Sequence, residues 1–194
     1  MKKDKPFSSI QSGKFKGKKL FLPSFQTTRS TKNRVKACVF NTLRYKLKDH
    51  IFIEVFGGSG SMAFEALSND ALSCIIIEKD EKAYKIALKN AALFEEKDLI
   101  KIHQNDSFEL LPSLLQKEKT PIIAYFDPPF DIRAGFLDIY ERIFSLINSL
   151  QGSNLKAFII EHSSQRLMPE KISLFSKHKF KKFGKTSLSF YELN

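Results

Sequence analysis

A mostly parallel α/β sheet with helices on both faces is the fold this sequence predicts, and three features predict it. Apolar segments of strand length alternate with segments of helical period from residue 51 to residue 161, the pattern left by strand–helix crossover units. The first of those strands runs into Gly57-Gly58-Ser59-Gly60, residues that let a chain turn sharply from strand into helix. Acidic residues stand at or near the ends of three of these strands, at Glu54, Glu78 and Asp127, where open α/β sheets bind their ligands. A chain of 194 residues is long enough for one domain with a sizeable core.

The elements follow in order. Residues 1–12 are polar, rich in Lys and Ser and without a period, so disorder is expected there. Ser12-Gly13-Lys14-Phe15-Lys16-Gly17-Lys18-Lys19-Leu20-Phe21-Leu22-Pro23 alternates and carries two glycines, which predicts a short hairpin with a basic face. Residues 27–34 read as a cationic loop, with Ser30 or Thr31 placed to cap a helix reaching about residue 48. Val35, Val39, Leu43 and Leu47 share one face of that helix, and Lys32, Lys36 and Lys46 lie on the other. Strands are then expected at 51–56, 73–78, 100–104, 121–127 and 155–161, and helices at 61–67, 80–94, 107–116 and 134–150. A closing hairpin is expected at 179–182 and 187–193. The chain divides into a basic tail and hairpin, residues 1–30, and an α/β domain, residues 31–194.

Charge is unevenly placed. Residues 1–48 hold 14 Lys and Arg against one acid, whereas the remainder holds 18 against 20, within a total of +11. A basic arm beside a nearly neutral domain fits a polyanionic partner. Lys14, Lys16, Lys18, Lys19, Arg29, Lys32 and Arg34 are the candidate phosphate contacts. A second group, Lys177, Lys179, Lys181, Lys182 and Lys185, reads more simply as a solvated face. No apolar run has the length of a membrane span, and no apolar stretch follows the basic N-terminus. Cys38 and Cys74 form no metal or disulfide pattern and are expected in the core. The four histidines are scattered, so no metal site is expected. A reduced, cytoplasmic protein is the expectation, as is a monomer.

Glu54 narrows the chemistry of the glycine turn. Gly58-Ser59-Gly60-Ser61-Met62-Ala63 fits a dinucleotide fingerprint, and a purely structural turn would also place glycines here. A carboxylate inside an apolar strand, however, needs a cationic or hydrogen-bonding partner. The α-ammonium group of S-adenosylmethionine supplies one; a dinucleotide would bring an anionic pyrophosphate instead. Glu78, about 20 residues beyond the glycines, stands where an acid accepts ribose hydroxyls. Asp106 can accept from an adenine amino group, cap its helix, or do both. Phe56, Gly58 and Gly60 complete the expected cofactor set.

Asp127-Pro128-Pro129-Phe130 is the most specific feature. An exocyclic amino nitrogen of a purine is a poor nucleophile because its lone pair is delocalised into the ring. Two acceptors aimed at its N–H groups, the Asp127 carboxylate and the Pro128 carbonyl, draw electron density back to it. The prolines restrict the backbone that holds them, and Phe130 can stack on an extruded base. A strand-ending turn without chemistry is the plainer alternative.

With these motifs in order, the chain resembles the small-subunit ribosomal RNA guanine-N2 methyltransferases, the RsmD family, over about residues 12–194. The resemblance rests on residues 13–20, on residues 29–35 with Phe40-Asn41, on residues 54–60 with Glu65-Ala66-Leu67, on residues 77–80, on residues 127–130, and on Phe183-Gly184-Lys185 with Phe190-Tyr191. It implies a Rossmann-like class I methyltransferase with a seven-stranded mixed sheet in the order 3-2-1-4-5-7-6, extended by an N-terminal basic hairpin. It also implies methyl transfer from S-adenosylmethionine to a guanine N2 amino group of 16S rRNA, free or in the small ribosomal subunit. Two positions depart from the family pattern: Ser30 stands where Pro is usual, and Asn33 where Asp is usual. The competing expectations are an adenine-N6 or other nucleic-acid amino-methyltransferase, a non-catalytic RNA-binding assembly factor, and, on the glycines alone, an NAD(P) oxidoreductase.

Overall fold

The computed structural model describes residues 7–23, 29–129 and 138–194, apart from the side chains of residues 29–31. Strands β1 (Phe7–Ser9) and β2 (Lys19–Phe21) pair antiparallel. Helix α1 (Arg29–Leu43) follows. The alternating part then runs β3 (Ile51–Val55), α2 (Ser61–Ser68), β4 (Ser73–Glu78), α3 (Glu81–Ala91), β5 (Ile100–Gln104), α4 (Ser107–Lys117), β6 (Ile122–Phe126), α5 (Ile139–Ser149) and β7 (Leu155–Ser163). Strands β8 (Lys171–Ile172), β9 (Phe175–Phe183) and β10 (Thr186–Leu193) close the chain.

Eight strands form the main sheet, in the order β5-β4-β3-β6-β7-β10-β9-β8. The seven-stranded expectation is therefore corrected: β8, two residues long, pairs with β9 and forms the edge. The turn between them passes through Ser173 at φ 55, and two residues are too few to leave an alternating pattern. Strands β3 to β7 pair in parallel, and β10 lies antiparallel between β7 and β9.

Alternation sorts each strand onto two cores. Phe52, Cys74, Ile76, Ile123, Tyr125 and Ile159 face α1, α2 and α3, while Ile53, Val55, Ile75, Ile77, Ala124, Phe126 and Ile160 face α4 and α5. The central strands β3 and β6 are buried throughout, as expected where helices cover both faces. Because all the parallel strands point one way, their carboxyl ends form a single edge of the sheet.

The N-terminus differs most from expectation. Residues 7–12 are not disordered: β1 is paired, and Ile10 and Leu20 lie inside the α1–α3 core. The hairpin strands flank the Gly13–Gly17 stretch rather than containing it, and that stretch forms turns. Gly13, at φ 78, lies so close to α2 that a Cβ there would stand 1.7 Å from the Ser68 carbonyl oxygen. Helix α1 includes residues 29–34, expected as loop, and ends at Leu43 rather than near residue 48. Lys36, expected on its outer face, is buried against Glu65 of α2 at 3.3 Å. Cys74 is buried as expected, whereas Cys38 is half-buried. Among the described residues no helix is long and apolar enough to cross a membrane.

Candidate active site

Glu54 is the fourth residue of β3 and points to the α1–α3 side. Its carboxylate accepts from the Ala63 amide at 2.8 Å and from the Met62 amide, so it sits on the first turn of α2. The cost of burial, aided by the charge of Asp127, pushes this carboxyl up to about 8, against the pull of those amides and of Lys32. The hydrogen-bonding partner that the sequence demanded is thus backbone, and near neutral pH the group holds its proton.

The glycine turn begins at Phe56, itself left-handed at φ 64, and passes through Gly58 at φ 53 and Gly60 at φ 78. A Cβ on Gly57 or Gly60 would come within 2.3 or 2.5 Å of the Ile76 side chain, whereas one on Gly58 would meet nothing within 4 Å. Gly57 and Gly60 therefore serve close packing, and Gly58 borders open space from which a ligand can reach the backbone. Glu78 ties this turn to the next: it accepts from the Gly58 amide at 2.6 Å and from the Asp80 amide at 2.7 Å. Each carboxylate oxygen has further lone-pair capacity for a hydroxyl donor.

Asp106 caps α4 through the Phe108 amide at 2.9 Å and pairs with Lys79 at 2.9 Å. Partial burial opposes its charge, but the Lys79 ammonium and the Phe108 amide outweigh that and hold it below the usual carboxylate range. The capping role is thus real. Phe108 packs edge-on to Phe56 at 5.7 Å, with the Arg142 guanidinium 4.1 Å from its centre. These rings join the glycine turn to the start of α4.

Asp127 follows β6 directly, its amide directed to the Val55 carbonyl at a long 3.5 Å. This puts the tip of β6 beside the tip of β3. Pro128 is buried and Pro129 half-buried; Phe130 lies outside the described residues.

Two neighbours of Asp127 were not singled out in the sequence. Glu161, on β7, follows the last residue registered with β6, since Phe126 pairs with Ile160. The Tyr125 hydroxyl donates to Glu161, and both are buried. Burial, then the Asp127 charge, pushes Glu161 up to about 8. Burial and the same two acids push the Tyr125 hydroxyl upward. The signal for Glu161 was available: like Glu54, it is an acid in a buried apolar strand.

The basic candidates are dispersed. Lys14 pairs with Glu96 at 3.4 Å, and Lys18 donates to the Leu93 carbonyl at 2.6 Å at the end of α3. Lys16 is exposed, and Lys19 is exposed with its ammonium over the Phe7 ring. Lys32 acts electrostatically on Glu54 and Glu161, which places it near the strand tips. Arg34 lies over the Phe183 ring at 5.7 Å. The Arg29 side chain lies outside what is described. No group of metal-binding side chains occurs among the described residues.

The chain is 28% identical over 187 residues to ribosomal RNA small subunit methyltransferase D of Escherichia coli, covering 94% of this chain and 88% of that one. Its fold matches the Escherichia coli protein yhhF with a TM-score of 0.78 at 23% identity, covering 97% of this chain and 99% of the other. It also matches the N-terminal domain of human METTL16, solved in complex with SAH, with a TM-score of 0.64 at 18% identity, over 90% and 75% of the two chains. Sheet order and strand-tip carboxylates thus occur in a chain whose residues 8–192 match the model of the family described as conserved hypothetical protein 95, and the chain belongs to that family, the RsmD family its motifs resemble.

Proposed function

We propose that the protein transfers a methyl group from S-adenosylmethionine to the N2 amino group of a guanine in small-subunit rRNA. One observation carries the reading: Asp127-Pro128 starts at the tip of β6, against the tip of β3 and its glycine turn. Acceptors for an amino group and a cradle for a cofactor therefore share one edge. The relative from Escherichia coli named for small-subunit rRNA methylation supports the substrate class.

The residues present fit S-adenosylmethionine. Gly58 opens the backbone to a ligand, Glu54 offers a buried carboxyl to an α-ammonium, and Glu78 and Asp106 offer acceptors to ribose and adenine. Bound there, the cofactor supplies an electrophilic methyl group on a sulfonium. Asp127 and the Pro128 carbonyl accept from the target N–H groups and restore nucleophilicity to the nitrogen. Their work is positioning and fixed electrostatics, and the proton that the nitrogen sheds once methylated passes to the Asp127 carboxylate and on to solvent. Lys16 and Lys19 on the hairpin, with Arg29, Lys32 and Arg34 on α1, hold the RNA backbone. Lys14 and Lys18, already engaged within the chain, contribute charge.

The test is methylation of rRNA, as naked RNA and as small subunits, from a strain lacking the protein, followed by nucleoside mass spectrometry. N2-methylguanosine is expected. N6-methyladenosine would overturn the guanine assignment and leave an amino-methyltransferase. No transfer to any RNA, with no binding of the cofactor, would leave an assembly factor.

A further inference from the structure

The stretch from residue 171 to residue 191 contains six lysines and no Asp or Glu. These lysines are not equivalent. Lys177 is spent on Glu170, at 2.6 Å, and on the Met168 carbonyl. Lys179 donates to Thr42 on α1 at 2.6 Å. Lys181, Lys182 and Lys185, near and in the turn from β9 to β10, are exposed.

Topology carries that turn to the reaction edge. β9 is parallel to β7, because both are antiparallel to β10, so the end of β9 lies with the ends of β6 and β7. Two hydrogen bonds fix it there: the Ser164 amide donates to the Lys185 carbonyl at 2.9 Å, and the Ser164 hydroxyl to the Gly184 carbonyl at 2.8 Å. Ser164 is three residues beyond Glu161. On the other side Phe183 lies beneath the Arg34 guanidinium, which joins the turn to the start of α1 and to Lys32.

We propose that Lys181, Lys182 and Lys185 form, with Arg34 and Lys32, one cationic rim that binds the RNA backbone flanking the target nucleotide. The inference rests on the reading of the protein as an RNA methyltransferase and adds a substrate surface to it. A phosphodiester strand fits because the cations are spread along an edge rather than gathered into a pocket. Their rigid anchoring beside β7 lets them set the path of the strand relative to Asp127. Such contacts position the substrate and carry little base specificity.

The experiment compares K181A/K182A/K185A with a control, K48A/K117A/K119A, whose lysines are also exposed but precede β3 and β6 at the opposite edge. RNA affinity is measured against salt, with KM and kcat for methyl transfer. The rim variant should lower the slope of log K against log salt by about 2, from roughly 0.7 per phosphate contact on single-stranded RNA. KM for RNA should rise about tenfold or more, with kcat and S-adenosylmethionine affinity unchanged. An unchanged slope and KM would overturn the rim. An equal loss in the control would also overturn it, because net charge alone would then be responsible. Cofactor binding and transfer by the wild type test the methyltransferase reading separately, so the two failures are distinguishable.

Discussion

A carboxyl group held near pH 8 answers a cation differently from one already ionised. On the proposed assignment, an α-ammonium group arriving beside Glu54 favours its ionised form and releases its proton. S-adenosylmethionine binding at pH 7 should therefore release a proton, and affinity should tighten from pH 6.5 to 8 by up to about tenfold per unit. Titration calorimetry in two buffers of different ionisation enthalpy reads the release directly. Glu54→Gln should bind more weakly, with the proton release gone; release that persists in this variant would remove Glu54 from the role. Asp127→Ala should lower kcat by about 10²-fold or more while S-adenosylmethionine still binds, since it removes an acceptor for the target amine and touches the cofactor site only through its charge on Glu54. Normal turnover in that variant would end the catalytic assignment. At this scale the sequence was readable wherever a residue contradicted its surroundings. Glu54 in an apolar strand is such a case. Glu161 escaped notice because it ends its apolar run without a motif around it, and its partner Tyr125 looks like any strand aromatic.

The element least legible from sequence was the N-terminal hairpin, and its anchors explain why. Glu65 accepts from the amides of Gln11 and Ser12 at 2.8 to 2.9 Å and pairs with Lys36, which also donates to the Ser9 carbonyl at 3.0 Å. Ser68 accepts from the Phe15 amide, and Asn90 accepts from the Phe21 amide. All these contacts join residues far apart in sequence, so no local period reveals them. Lys36 sits within the apolar stripe of α1, beside Val35 and Val39, where Glu65 supplies its counter-charge and the Ser9 carbonyl a further acceptor. Glu65→Ala should destabilise the protein by about 3–5 kcal/mol, because it leaves Lys36 buried and unpaired. Hydrogen exchange should show the amides of Gln11 and Ser12 losing protection first. A stability change under about 1 kcal/mol would mean that the hairpin is held by its apolar residues alone. The same anchors make truncation of residues 1–30 a poor probe of RNA binding, since Ile10 and Leu20 would leave the core with it.

For the whole molecule, the strand-tip acids set how stability depends on pH. Glu54 and Glu161 ordinarily titrate near 4.5 and are raised to about 8 in the folded chain. Between those values the native state holds more protons than the unfolded state, so these two groups make stability fall as pH rises, until the native groups have ionised. Other groups act in the opposite direction. Burial holds His103, His162 and His178 below 6.5, so they add stability as pH rises through that value. Their effect is complete by about pH 7.5. The carboxylates Asp106, Glu118 and Glu141 are held low and act only in the acid range. Burial also lowers Lys36 from its ordinary 10.5, an opposing contribution that the wild type shares with variants of the acids, so the downward slope from the strand-tip acids is read between about pH 7 and 8.5 as the difference between them. There the ligand-free protein should lose thermal stability, and E54Q and E161Q should each flatten the decline. Saturating S-adenosylmethionine should flatten it too, because the cation takes over the role of the proton at Glu54. A decline of equal slope in the wild type and both variants would show that these acids do not hold protons in the folded chain. The clustering of Glu54, Glu161 and Asp127 at one edge would then have to be explained by ion pairing instead.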